Sequence, residues 1–302
     1  MELIGKTSID FIGKRNIAFV ISGIIALVGI IGIIQISRGV ANMGIDFSGG
    51  TVIQLKFSTP VPLDQARSAL AKHNLKEANL QEIKDGNKLL IKVGKANVAV
   101  GKVANTIEEV FKKEIPGDSF VVESSTEIGP SIGDKLRKDT LVAIAISMLG
   151  IVIYIAWRFD FKFGIGAAVA TLHDVLAMFA VFFAMNKEIN LLFITAVLTI
   201  AGYSLTDTVV VFDRIRENLH KDLKGALPTI FNKSINEVLS RTIVTSLTAF
   251  LAALSLFFFG GEVIHDFAFA LVIGISVGTY SSIFVASPIV VLWEGRSGKP
   301  TA

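Results

Sequence analysis

The sequence predicts a polytopic α-helical membrane protein, with six transmembrane helices and one ferredoxin-like α+β domain inserted between the first and the second. Three observations lead there. Of 302 residues, 52% are hydrophobic and only 18% charged, with a mean hydropathy of +0.62, whereas soluble domains carry about a quarter charged residues. Six apolar runs approach the roughly 20 residues with which a helix crosses a bilayer while satisfying its own backbone polar groups. The stretch 38–138, between the first two runs, is instead polar and patterned like a small globule.

The first run, Asn16 to Ile36, follows Lys14 and Arg15. Its length, and the lack of a small-x-small cleavage pattern after it, mark an uncleaved anchor rather than a secretory signal. Residues 1–37 are therefore an N-terminus plus helix. Within 38–138, Thr51 to Phe57 reads as a strand, Leu63 to His73 as a helix opened by Pro62, and Asn79 to Ile83 and Leu89 to Val93 as strands around an Asp85-Gly86-Asn87 turn. Val98 to Phe111 has helical periodicity and Phe120 to Glu123 closes as a strand. The resulting β-α-β-β-α-β order is the ferredoxin-like split arrangement. Its lone His73, on a polar helix, is expected to face solvent.

Residues 139–302 hold the other five runs: Thr140 to Trp157, Phe163 to Met185, Leu191 to Phe212, Thr242 to Phe259, and Phe267 to Trp293. Between the fourth and fifth, Ile230, Phe231, Ile235, Val238 and Leu239 recur at helical spacing after Pro228. That pattern fits an interfacial helix near 228–240, or equally a connecting helix packed on the bundle. Lys and Arg gather on one side: Lys6, Lys14, Arg15, Arg158, Lys162, Arg214, Arg216, Lys221, Lys224, Lys233, Arg241, Arg296 and Lys299, against Lys187 in the short loops of the other. By the positive-inside rule both termini are cytoplasmic and the 38–138 domain is outside.

Several function classes drop out. There is no cysteine, so no disulfide framework and no thiolate metal site. A net charge of +3 gives nucleic-acid binding no support. Lys6 and Thr7 after Gly5 lack the earlier glycine of a phosphate loop. Glu262, His265 and Asp266 read as a solvated loop rather than a cation site. No enzyme, cofactor or metal is expected.

The candidates for chemistry are polar residues inside the apolar runs. Asp207, in GYSLTDTVVVFDRIREN, shares a helix face with Tyr203, Ser204, Val210, Val211 and Arg214; an acid there costs roughly 2.5–3.5 kcal/mol on insertion scales and marks an ion, proton or substrate path. Arg241 opens the fifth run, within reach of pairing with Asp207, and a movement that changes their separation would switch the acid between proton binding and release. The other reading is a snorkelling interface arginine. His173 and Asp174, halfway along the third run, point about 100° apart, so at most one faces the fourth helix squarely; they are either relay groups or interhelical hydrogen-bonding groups. Gly274 and Gly278, with Gly164, Gly166, Ala170 and Ala177, suit close helix packing.

GIDFSGG (Gly44 to Gly50), IGPSIG (Ile128 to Gly133), LHD, GYSLTDTVVVFDRIREN and SRTIVTSLTAFLAALSLFFFGG together closely resemble the SecF family, the smaller half of the bacterial SecDF translocase accessory complex in the resistance-nodulation-division superfamily. The resemblance spans nearly the whole chain. It implies a proton-driven subunit in the bacterial inner membrane, paired with SecD, that helps unfolded preproteins through SecYEG after SecA, in membrane lipid and alongside YajC/YidC-type accessory proteins. It places the family's proton-pathway aspartate on Asp207 and its functional arginine on Arg241, with a further acid supplied by SecD. Gly44, Asp46, Gly49, Gly50, Gly129, Pro130 and Gly133 become structural motif positions. Two rival readings remain: a small-molecule or lipid exporter of the same superfamily, and an intramembrane aspartyl protease using Asp174 with Asp207, which lacks the expected glycine two residues before the acid because Leu205 stands there.

Overall fold

The structure, a computed structural model, describes residues 5, 7–38, 42–73, 75, 76, 78–83, 86–94, 102–116 and 119–297. Lys6, Asp85, Lys299, the expected helical start at 98–101, and the side chains of Glu262 and Arg296 lie outside the described residues. Residues 43–142 form one compact unit; residues 1–42 with 143–302 form another.

The first of these opens with a short helix, α2 (Ile45–Ser48); α1 (Arg15–Ser37) belongs to the other unit. It continues as β1 (Gly50–Phe57), α3 (Leu63–Lys72), β2 (Asn79–Ile83), β3 (Lys88–Val93), α4 (Val103–Glu114) and β4 (Phe120–Ile128). The strands make one sheet in the order β2-β3-β1-β4, every neighbouring pair antiparallel. Period-two alternation puts Ile53, Leu55 and Phe57 with Leu89, Ile91 and Val93 on one face. Ala66, Ala69 and Leu70 of α3 and Ile107, Val110 and Phe111 of α4 cover it. Gly86 (φ 89°) and Asn87 (φ 55°) supply the two left-handed residues that a tight hairpin needs.

Two details differ from the sequence reading. β4 runs on to Ile128 rather than stopping near Glu123. His73 is half-buried, not solvent-facing: it ends α3 beside α4, with Nε2 3.3 Å from Glu114. Lys72 Nζ reaches the other Glu114 oxygen at 2.6 Å. Lys72 first, and then His73, hold the Glu114 carboxyl below the ordinary glutamate range.

The second unit is helical: α1 (Arg15–Ser37), α5 (Pro130–Arg158, from Ala143 onward), α6 (Phe161–Ala184), α7 (Leu191–Lys221), α8 (Leu227–Phe259), α9 (Glu262–Ser281), a π-helical turn (Ser282–Ala286) and α10 (Ser287–Ser297). Among the described residues six helices, the last running Val263–Glu294 through the π turn, are long and apolar enough to cross a membrane. Glycines let them approach closely. A Cβ on Gly29 of α1 would strike the Leu176 carbonyl of α6, and one on Gly278 of α9 would lie 3.0 Å from Ser204 Cβ of α7. Gly274 faces Ile200 and Gly166 faces Val290 and the Ala286 carbonyl, so these three expected packing glycines do lie at helix contacts.

The helix expected near 228–240 is not a separate element. It is the first half of α8, a single helix of 33 residues, because no glycine or proline stands between Thr229 and Phe259 and Pro228 occupies the first turn, where its missing N–H costs nothing. Its apolar side, Ile230, Phe231, Ile235 and Leu239, is buried in the protein core. Its polar side is taken by other chain segments. Asn236 accepts from the Ile9 N–H and donates to the Ile9 carbonyl, both at 2.9 Å, while Asn232 accepts from the Phe11 and Ile12 N–H groups. Glu237 accepts from Arg214 and Asn218 of α7, both at 2.7 Å.

Candidate functional site

α7 carries polar groups through the middle of the bundle, as the sequence anticipates, but they do not form one stripe. Ser204 turns toward α6 and α9, Asp207 toward α8, and Arg214 reaches Glu217 and Glu237 beyond the apolar stretch. Two separate polar centres result.

The first surrounds Asp207, which is 7% exposed. Ser246 Oγ of α8 lies 3.5 Å from its Oδ2, a long and weak hydrogen bond. Arg241, five residues earlier on α8, is exposed, and no ion pair joins it to Asp207 among the described residues. The expected direct pairing is thus open in this arrangement: the guanidinium sits outside while a serine hydroxyl faces the acid. The neighbouring Thr242 hydroxyl is buried and has no hydrogen-bond partner among the described residues.

The second centre lies where α6, α7 and α9 meet. Asp174 is fully buried at 0% and His173 is 5% exposed. Asp174 is the one of the two that faces α7: Ser204 donates to its Oδ2, and so does Ser281 of α9 at 2.8 Å. His173 Nδ1 lies 3.1 Å from Asp174 Oδ1, and its Nε2 is buried without a partner among the described residues. Each acid has its own hydroxyl neighbours and no bond links Asp174 to Asp207, so the shared proton of an aspartyl protease pair has no geometry here. Among the described residues no three metal-ligating side chains converge; Asp266 is taken by Lys187 at 2.6 Å.

The two glycine motifs are a single joint. Gly44 caps α2, and Gly49 and Gly50 follow it with φ of 71° and 140°, backbone that glycine alone adopts freely. A Cβ on Gly50 would lie 2.5 Å from the Val93 carbonyl, and one on Gly133 3.1 Å from Gly49 N. A side chain on Gly49 would meet Pro130 Cα at 3.2 Å. The Gly129 carbonyl accepts from the Ile132 and Gly133 N–H groups at 3.0 Å, opening α5. Asp46 lies in the first turn of α2, where a carboxylate favours the helix N-terminus.

Sequence reasoning named the acids but missed their hydroxyl partners, Ser246 and Ser281. The available signal was weak: a serine inside an apolar run is common, and only the fold says which one meets a carboxylate.

The chain is similar to known protein-export subunits. Residues 106–296 match the family model described as protein export membrane protein SecD/SecF, C-terminal, and residues 41–61 match the SecD/SecF GG motif. The chain is 55% identical over 294 residues to protein translocase subunit SecF of Thermodesulfovibrio yellowstonii, covering 97% of each. It is 43% identical to protein translocase subunit SecF of Calditerrivibrio nitroreducens, covering 97% of this chain and 96% of that one. It is also similar to the crystal structure of SecDF, a translocon-associated membrane protein from Thermus thermophilus, at 34% identity and a TM-score of 0.85 over 96% of this chain. It spans only 39% of that SecDF chain.

Proposed function

The chain belongs to the SecD/SecF family of protein export membrane proteins, and we propose that it is a SecF-like subunit that uses the proton gradient to assist preprotein export through SecYEG and SecA. The observation that carries the mechanism is Asp207: a buried acid on α7 that meets Ser246 of α8 only at long hydrogen-bond distance, with the exposed Arg241 five residues before that serine on α8. A sliding or tilting of α8 would exchange Ser246 for Arg241 as the neighbour of the carboxylate. That exchange converts an environment holding a proton into one expelling it, because a nearby cation favours the ionised acid. Moving one charge through the membrane potential supplies about 2.3 kcal/mol per 100 mV.

In this reading His173 and Asp174 are further members of the pathway, and SecD provides the remaining acid; the 39% span of the SecDF chain leaves ample room for it. The antiparallel β2-β3-β1-β4 sheet with both helices on one face supports a ferredoxin-like domain. We place that domain outside the bacterial inner membrane, with both termini in the cytoplasm, on the distribution of Lys and Arg. YajC/YidC-type proteins are the expected neighbours.

The test is preprotein export in cells carrying Asp207→Asn at wild-type protein level. Loss of the coupled charge is expected to lower proton-dependent export by about tenfold or more. Normal proton-dependent export in this variant removes Asp207 from the mechanism.

A further inference from the structure

The carboxylate of Asp174 ties together helices that are far apart in sequence. Oδ2 holds Ser204 of α7 and Ser281 of α9, and Oδ1 faces His173 on its own helix. The His173 ring lies 6.2 Å from the Tyr280 ring, and the Tyr280 hydroxyl meets the Ala18 carbonyl and Ser22 Oγ of α1, both at 3.1 Å. Four helices therefore depend on one buried pair.

Ser281 has a choice to make. Its hydroxyl has one proton and two acceptors in reach, Asp174 Oδ2 at 2.8 Å and the Gly278 carbonyl of its own helix at 3.1 Å. Directly after it the helix widens into the π turn Ser282–Ala286, across which the Ser287 hydroxyl donates to the Ser282 carbonyl at 3.0 Å. A π turn holds one residue more than an α turn, so its loss rotates everything after it by about 100°. The bond from Ser281 to α6 sits at that junction.

We propose that His173 and Asp174 form a proton-binding site separate from Asp207, whose occupancy decides whether Ser281 is held to α6 and hence whether the π turn is kept. This rests on the reading of the chain as proton-driven and assigns a task to two of its pathway residues. In the empty site a neutral imidazole points its Nδ1 hydrogen at the Asp174 carboxylate, and the bare Nε2 carries a lone pair. An entering proton forms an N–H bond at Nε2; the Nδ1–H bond then breaks as an O–H bond forms on Asp174 Oδ1, leaving a neutral imidazole and a neutral carboxyl. The pair passes from a net charge of one minus to zero. Hydrogen bonds to an ionised acceptor are roughly twice as strong as neutral ones, so the Ser281 proton returns to the Gly278 carbonyl and the π turn is released. Within the apolar stretches of the surrounding helices the ionisable groups are Tyr203 and Asp207 on α7 and Tyr280 on α9, with Arg241 at the start of the apolar stretch of α8; α1 has none between Arg15 and Arg38. Asp207 faces Ser246 instead, which keeps the two sites distinct.

The test is amide hydrogen exchange over residues 279–290 in the full chain co-purified with SecD, in acidic and alkaline buffer and corrected for the intrinsic chemistry. The wild type is expected to exchange about tenfold faster in acid, the equivalent of roughly one charge-assisted hydrogen bond. Ser281→Ala is expected to abolish that pH dependence while the infrared carboxyl signal assigned by Asp174→Asn still titrates, and Ser281→Thr to restore it. Asp207→Asn is expected to leave it intact even where export fails, which separates this latch from the export mechanism. Full pH dependence in Ser281→Ala, or its loss in Asp207→Asn, overturns the proposal.

Discussion

The two units of this molecule hide opposite things. In residues 43–142 the core is apolar and built by alternation, with Ile53, Leu55, Phe57, Ile91 and Phe111 almost fully buried and the charges outside. In the helical unit Ile146, Leu149, Trp157 and Phe259 stand exposed while Asp174, Ser204, Asp207, Ser281 and Ser287 are buried. Water drives the first arrangement: apolar area leaves solvent and polar groups stay in it. Where a helix face meets lipid, apolar side chains gain nothing by turning inward, and the polar groups must find partners inside. The lesson is that an apolar residue locates the core in one unit, and a polar residue locates it in the other.

That contrast can be broken most strongly in the domain. Phe111 is buried at 0% and lies against Phe57 and Phe120 with ring centroids at 5.6 and 6.3 Å. Phe111→Ala is expected to cost about 3–5 kcal/mol, read as faster exchange of the β1 and β3 amides. Its counterpart in the bundle is Ile146→Ala, on an exposed apolar face, for which a change within about 0.5 kcal/mol is expected. A large loss at Ile146 would show that this face is packed in the protein tested.

A smaller effect separates two glycines on one helix. A side chain on Gly29 would overlap the Leu176 carbonyl, which backbone cannot easily yield, whereas Gly23 has nothing within 4 Å. Gly29→Val is expected to destabilise the α1–α6 contact by about 1–3 kcal/mol through overpacking, and Gly23→Val to have almost no effect. Thermal unfolding of the two variants side by side checks this. Equal losses would place the cost in helix propensity rather than in contact.

How much of this was legible beforehand follows the same divide. The order of strands and helices in the domain could be read because alternation has one meaning there; Ile53, Leu55 and Phe57 can share a buried face in only one register. The six spans were legible from length and apolarity, but not their ends. Pro130 and Lys221 extend α5 and α7 well past their apolar stretches, since polar helix outside a membrane leaves no apolar signature. Asp174 and Asp207 stood out by cost alone. Ser281 and Gly29 did not, because neither differs locally from residues such as Ser255 or Gly23 that meet nothing comparable, and the π turn leaves no pattern in SIFVA at all.

The smallest expected effect turns on acid pH and belongs to the domain. Glu114 joins the end of α4 to the end of α3 through Lys72 and His73, and these partners lower its pKa from the ordinary 4.5, Lys72 the more strongly. A folded-state pKa below the unfolded one stabilises the fold above the unfolded value and ceases to do so as pH falls through the folded value. Domain stability should therefore decline between about pH 5 and pH 3, with protonation of this carboxyl contributing to the fall. Glu114→Gln is expected to be less stable than wild type above that window and to converge with it below. Because Lys72 is the larger cause, Lys72→Ala should remove most of the difference and His73→Ala less of it. Exchange of β1 and α4 amides reads the domain without interference from the helical unit. An unchanged acid limb in Glu114→Gln would place the domain's acid sensitivity elsewhere, with Glu123, which Lys88 holds in the same way, the next carboxyl to replace.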